Sequence, residues 1–198
     1  MVSRLLLVRH GETDLTGTFC GQSDPDLNAR GQQQARELAQ ELKSVAIDAV
    51  YSSDLLRARR TAESLAHAAK VTLQVVPALR EIGFGAWEAL RWPEIETRFL
   101  QESRLWMNGY PRRSAPGGES IQNFEHRVRS AAEEILGAVQ GTVCIVSHGG
   151  VMRLLLKHLS QIGDDDAWAL TREHARPIFI DAAKMPTGVF QSGSGRME

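Results

Sequence analysis

Leu5-Leu6-Leu7-Val8-Arg9-His10-Gly11-Glu12-Thr13 joins four apolar residues to a basic pair, a glycine and Glu-Thr. A strand with one buried face alternates apolar and polar residues. A strand buried on both faces reads as an unbroken apolar run. The run at 5–8 does not alternate, so it predicts a strand in a parallel sheet covered by helices on both faces. Similar runs follow at 47–51, 71–76 and 143–146, with a fifth candidate at 178–180.

Helical patterns fall between the runs. Asn28 is placed to cap a helix to about residue 43, with Ala35, Leu38, Ala39 and Leu42 on one face. Asp54 is placed to cap a second, to about residue 69. Further helices are expected over 120–139 and 151–159. Alternation of strand and helix predicts an α/β fold with a mainly parallel central sheet. Residues 80–119 break the rhythm and hold Trp87, Trp92 and Trp106. An inserted segment there forms either a wall over a site or a plain surface helix with loops. A single domain over 1–190 is expected, with a solvated tail over 191–198.

The chain has 198 residues, 42% of them hydrophobic and 24% charged, which suits a globular protein and argues against wholesale disorder. Its 23 Lys and Arg nearly balance 24 Asp and Glu. Such a chain has no global electrostatic reason to bind nucleic acid or an acidic membrane surface, so attraction for an anion must be local. Two cysteines, Cys20 and Cys144, form no disulfide framework and fit a reducing compartment. No apolar run is long enough for a membrane span, and the amino end lacks the apolar stretch of a signal peptide. The expectation is a soluble cytoplasmic protein.

Polar clusters follow the apolar runs: Arg9 to Thr13, then Ser52-Ser53-Asp54 with Arg57, then Glu81, then Ser147-His148-Gly149-Gly150. In open α/β sheets, ligands bind outside the carboxyl ends of the strands. Two arginines and two histidines converging there need a counter-ion, and a phosphate dianion fits their forked donors. The helix start after His148 adds backbone N–H groups, with Gly149 and Gly150 permitting close approach. A neutral histidine can attack phosphorus directly, while arginines and a second histidine hold the oxygens. Glu81 is the candidate proton donor by position, and Glu12 competes with it. No pair of aspartates suited to Mg²⁺, His-x-x-x-His zinc pair, P-loop or Gly-x-Ser-x-Gly motif occurs, and Asp164-Asp165-Asp166 reads as a solvated loop or helix start.

These residues resemble the histidine phosphatase superfamily, which includes cofactor-dependent phosphoglycerate mutase. Leu7 to Thr13 resembles its signature. Asp24, Leu27, Gly31 and Gln34-Ala35 look like the segment that follows. Tyr51-Ser52-Ser53-Asp54-Leu55-Leu56-Arg57-Ala58 with Thr61-Ala62 resembles the second arginine motif. Leu79 to Glu88 is similar to the acid motif, Pro116 to Ser120 to the lead into the next helix, and Val146 to Gly150 to the last catalytic motif. Within the superfamily, Gly17-Thr18-Phe19-Cys20-Gly21, Phe84 to Glu88 and Trp106-Met107-Asn108 resemble the α-ribazole phosphatase and broad-specificity phosphatase group.

The resemblance implies a phosphoglycerate mutase-like fold and a metal-independent phosphomonoesterase with no cofactor. His10 would be the phosphorylated nucleophile. Arg9, Arg57 and His148 would line the phosphate pocket, and Glu81 would donate the proton. The implied substrate is a small organic phosphate, with α-ribazole 5′-phosphate the specific expectation. The alternatives are a broad-specificity phosphatase, a phosphoglycerate mutase and a non-catalytic phosphate-binding domain, and a homodimer is left open. Two positions depart from the pattern. Thr16 stands where many members carry a phosphate-contacting asparagine, with Gln22 as the substitute donor. Pro25 and Asp26 stand where the family has its proline one place later. His67, His126, His158 and His174 read as surface or helix-face residues. Cys144 reads as core. Trp87, Trp92 and Trp106 form either a pocket wall or packing of the inserted segment.

Overall fold

A computed structural model describes residues 2–109 and 112–186. In chain order the elements are β1 (Val2–Arg9), α1 (Ala29–Glu41), β2 (Ala49–Ser52), α2 (Leu56–Ala69), β3 (Leu73–Val75), α3 (Trp92–Arg98), α4 (Leu100–Gly109), α5 (Ile121–Ala138), β4 (Gly141–Ser147), α6 (Gly149–Ser160), α7 (Asp164–Leu170) and β5 (Pro177–Asp181). The sheet order is β3-β2-β4-β1-β5. β1, β2, β3 and β4 run parallel, and β5 closes one edge antiparallel to β1. The tail expected over 191–198 lies outside the described residues.

The unbroken run in β1 has a direct explanation. Leu5 and Leu7 join one buried cluster with Val128, Ile135 and Leu136 of α5 and Met152 and Leu155 of α6. Leu6 and Val8 join another with Leu38 of α1 and Ala58, Ala62 and Leu65 of α2. All four β1 side chains are fully buried. Truncating Leu6 or Leu7 to alanine is expected to cost ~2–5 kcal/mol, the range for buried leucines.

Helix starts follow the sequence in part. The Asn28 side chain accepts from the Gly31 N–H, and Ser120 accepts from Asn123 N–H. Asp54 does not cap α2, contrary to expectation. The cap position is Leu55, without a side-chain bond, and Asp54 forms an ion pair with Arg80. The capping acceptor comes from far away: Asp24 Oδ1 takes the Leu56 N–H at 2.6 Å. Helix α6 begins at Gly149, two residues before the expected start. The strand expected over 71–76 forms between Leu73 and Val75.

The segment 80–119 carries α3 and α4. Trp87, fully buried, packs with Phe19, Phe84, Trp92 and Trp106 in a small separate core. Ring centroids there lie 5.0–6.3 Å apart, mostly edge to face, the preferred arrangement for aromatic quadrupoles. These tryptophans therefore pack the segment onto the 17–23 loop. No helix among the described residues is long and apolar enough to cross a membrane.

Candidate active site

Parallel register brings the polar ends of three strands together. Arg9 pairs with Ser147, and Ser52 pairs with Val146. The residues just beyond, His10, Ser53 and His148, therefore share one end of the sheet. Arg57 enters from the first turn of α2, and Glu81 from the connection after β3. The structure brings Arg9, His10, Arg57, Glu81 and His148 to one place.

His10 is held in one tautomer. Its Nδ1 lies 2.7 Å from the Gly11 carbonyl oxygen. A carbonyl can accept and cannot donate, so Nδ1 carries the proton and Nε2 keeps its lone pair. Arg57 Nε–H donates to that Nε2 at 3.3 Å. Burial first, then the positive charge of His148, Arg57, Arg9 and His174, pushes the His10 imidazole well below its ordinary value of 6.5. His10 is therefore a neutral base with its lone pair directed at a cationic neighbour.

His148 lies beside it, with ring centroids 5.1 Å apart. Its Nε2 is 2.7 Å from Ser53 Oγ. Its Nδ1 is buried without a hydrogen-bond partner among the described residues, as is Arg9 Nε. Buried polar atoms are nearly always satisfied, and leaving one unpaired costs ~1–3 kcal/mol. Two such nitrogens beside His10 fit an oxyanion with several acceptor oxygens. Burial, then Arg57, Arg9 and Arg127, holds His148 well below 6.5 as well.

Both arginines are anchored by backbone. Arg57 is fully buried and donates to the carbonyls of Ser23, Gly21 and Cys20. Arg9 donates to Thr171 and Arg172 carbonyls. Fixed guanidiniums are preorganised for an anion and need no reordering on binding.

The Glu81 carboxylate accepts from Ile82 N–H at 3.0 Å and from Gly150 N–H at 2.8 Å. A Cβ on Gly150 would lie 2.2 Å from Glu81 Oε1, so any larger residue there would displace the carboxylate. Arg127 of α5 donates to the carbonyls of Ala78, Arg80 and Glu81 and pairs with Glu119, fixing the backbone beneath the carboxylate. Glu12, the competing acid, pairs with no arginine among the described residues. Its carboxylate accepts from Asn28, tying the loop after β1 to the start of α1. Glu88 accepts from the N–H groups of Gly21, Gln22, Ser23 and Phe84 and from the Ser23 hydroxyl. Burial raises its carboxyl, but these donors outweigh that and hold it below its ordinary value. Glu88 thus fastens the inserted segment to the loop that anchors Arg57.

Three expected binding residues fare differently. Gly149, expected to let a ligand approach the backbone, lies next to Arg9. Thr16 is exposed, and its hydroxyl accepts from Thr13 N–H. Gln22 is exposed beside Gly83. No hydrogen bond among the described residues joins either side chain to the His10 cluster. His174 corrects another expectation. It is half-buried, its Nδ1 is 2.8 Å from the His10 carbonyl, and its ring is 5.2 Å from that of His10. Ser53, Arg127 and Arg153 were not singled out by the sequence. Ser53 stands in a quoted motif, whereas Arg127 and Arg153 look like ordinary helix-surface arginines. No group of three or more potential metal ligands occurs among the described residues.

The model of the histidine phosphatase superfamily (branch 1) matches residues 5–181. The chain belongs to this superfamily. This histidine phosphatase is 32% identical over 175 residues to phosphoserine phosphatase 1 of Hydrogenobacter thermophilus, covering 87% of this chain and 83% of that protein. It is 35% identical over 180 residues to an Escherichia fergusonii protein with a phosphoglycerate mutase name, covering 89% and 82%. The solved α-ribazole phosphatase of Shigella flexneri superposes with a TM-score of 0.80 at 31% identity, covering 90% of each chain. Its family and phosphatase-named relatives make the protein a phosphoric monoester hydrolase.

Proposed function

We propose that this histidine phosphatase cleaves small organic phosphomonoesters through a phosphohistidine on His10. The observation that carries this is the His10 tautomer, with Nδ1–H on the Gly11 carbonyl and the Nε2 lone pair beside Arg57. Nε2 attacks phosphorus, the P–N bond forms and the ester P–O bond breaks. Arg57, Arg9 and His148 hold the non-bridging oxygens, where negative charge lies in the transition state. The Ser53 hydroxyl donates to His148 Nε2, which leaves Nδ1–H for a phosphoryl oxygen. Protonated Glu81 gives its proton to the leaving alkoxide. Its carboxylate then takes a proton from the water that attacks the phosphohistidine, which releases phosphate and restores His10. The arginines supply the positive charge for these steps, so the reaction runs without an added metal ion.

The specific substrate we propose is α-ribazole 5′-phosphate. The likeness to the Shigella flexneri α-ribazole phosphatase and the resemblances at 17–21 and 84–88 support it. Phosphate release from that ester and from p-nitrophenyl phosphate, with chelator and no added metal, tests both levels. A kcat/KM far higher on the ribazole ester is expected. Comparable values on both would contradict the substrate and leave the phosphatase chemistry standing. No release from either would contradict the phosphatase reading. Transfer of the phosphoryl group to a second hydroxyl, in place of release, would mark a mutase.

A further inference from the structure

Arg153 is a cation the steps above do not use. It lies four residues after Gly149 in α6, on the same helix face. Its Nη1 is 3.3 Å from where a Gly149 Cβ would stand, and Arg9 Cζ and Nε are 3.8 Å from that point. The two guanidiniums therefore converge over Gly149. No carboxylate among the described residues pairs with Arg153. Arg80, Arg127 and Arg176, by contrast, pair with Asp54, Glu119 and Glu173. The Arg153 contact is an aromatic one, with Cζ 4.4 Å from the ring centroid of Trp168 in α7. An arginine over a ring face is held there, while its N–H edge stays open to a planar or tetrahedral anion. Burial lowers the Arg9 guanidinium, the Glu81 carboxylate opposes that, and the charge of Arg153 lowers it further. Two guanidiniums brought this close over Gly149 favour an anion at the rim.

We infer that Arg153 forms a second anionic subsite, which binds a carboxylate or a further phosphate on the leaving-group side of the ester. Resting on the phosphomonoesterase reading, this makes Arg153 a specificity-determining residue for esters that carry a second anionic group. Trp168 acts as a positioning residue, since it fixes the guanidinium.

Binding of inert phosphonates tests the subsite without turnover. Calorimetry would compare methylphosphonate with phosphonoacetate and 3-phosphonopropionate, on the wild-type chain and on Arg153→Gln. A charge-assisted contact predicts that at least one carboxylate-bearing probe binds about tenfold tighter than methylphosphonate to the wild type. Arg153→Gln should erase that preference and leave methylphosphonate affinity within about twofold. A thermal melt would establish that the variant is folded, and Arg153→Lys, which keeps charge without the stacked fork, should recover part of the preference. Equal binding of all three probes to the wild type would overturn the inference. Parallel weakening of all three in Arg153→Gln would also overturn it, placing Arg153 on the phosphoryl group. If the preference is found but p-nitrophenyl phosphate is not hydrolysed, the phosphatase reading fails and the subsite stands.

Discussion

The Gly150 N–H donates to Glu81 Oε2 at 2.8 Å across 69 positions of sequence. The start of α6 thereby fixes the carboxyl that follows β3. A Cβ at 150 would lie 2.2 Å from Glu81 Oε1, so Gly150→Ala must push the carboxylate away. If Glu81 protonates the leaving group, Gly150→Ala and Glu81→Gln should share one pattern. Rates on an alkyl phosphate should fall by about 10²–10⁴. Rates on p-nitrophenyl phosphate should fall far less, because that leaving group needs little protonation. Steady-state kcat on both esters checks this, and equal losses would remove Glu81 from leaving-group departure.

Ser53 supports His148 in the same way. Its hydroxyl lies 2.7 Å from Nε2, and both groups are buried. Ser53→Ala frees the ring to take the other tautomer and turn an acceptor toward the phosphoryl oxygen. The expected loss in kcat is at least about tenfold, below the ~10²–10³ seen when an oxyanion donor is itself removed. The fold should survive, with stability lowered by ~1–3 kcal/mol for the unpaired ring nitrogen. A kcat within twofold of wild type would show that Ser53 does not set the tautomer.

Protonation of the histidines should also govern stability. His10, His148 and His174 are all held below 6.5, with burial the first cause in each. The unfolded chain takes up these protons near the ordinary value, and the folded chain does so at lower pH. The unfolded state therefore binds more protons in that window, so stability rises with pH there. The melting temperature should hold above about pH 7 and fall from about pH 6.5 downward. His10→Ala should flatten that fall, and inorganic phosphate should oppose it by pairing with the charged rings. Asp54 and Glu88, held below their ordinary values, act at lower pH still. A melting temperature that is flat or rises between about pH 7 and pH 5 would contradict the histidine assignment.

Asp24 links the loop at the site to the helix that carries Arg57. Asp24→Ala removes the acceptor for Leu56 N–H and should cost ~1 kcal/mol, as other caps do. KM for a phosphate ester should rise with it, because Arg57 sits in the first turn of α2. A thermal melt with KM measurement checks both, and an unchanged melt would show that solvent replaces the cap.

What the sequence makes legible is local or periodic. The run at 5–8 reads correctly because Leu5 and Leu7 face one helical layer and Leu6 and Val8 face the other. His10, Arg57, Glu81 and His148 are legible because polar residues follow strand ends. The misread features depend on distant partners. Asp54 looks like a cap by adjacency, but Arg80 takes its carboxylate and Asp24 caps the helix instead. His174 has no local signal, since its contact with His10 spans 164 positions. Arg153 carries no local signal either, since its ring contact is with Trp168 of another helix, α7. The tryptophans of the inserted segment were ambiguous because wall and core ask for the same residues, and the burial of Trp87 decides for core.

Trapping the phosphoenzyme tests the central claim most directly. The chain would be quenched in alkali during turnover of an aryl phosphate, digested, and its phosphopeptide sequenced by mass spectrometry with the nitrogen assigned by NMR. A neutral His10 with Nδ1–H on Gly11 predicts phosphate on His10 Nε2, stable in base, lost in acid and absent from His10→Ala. Phosphate on Nδ1 or on another residue, or a folded His10→Ala that turns over at a substantial rate, would contradict it.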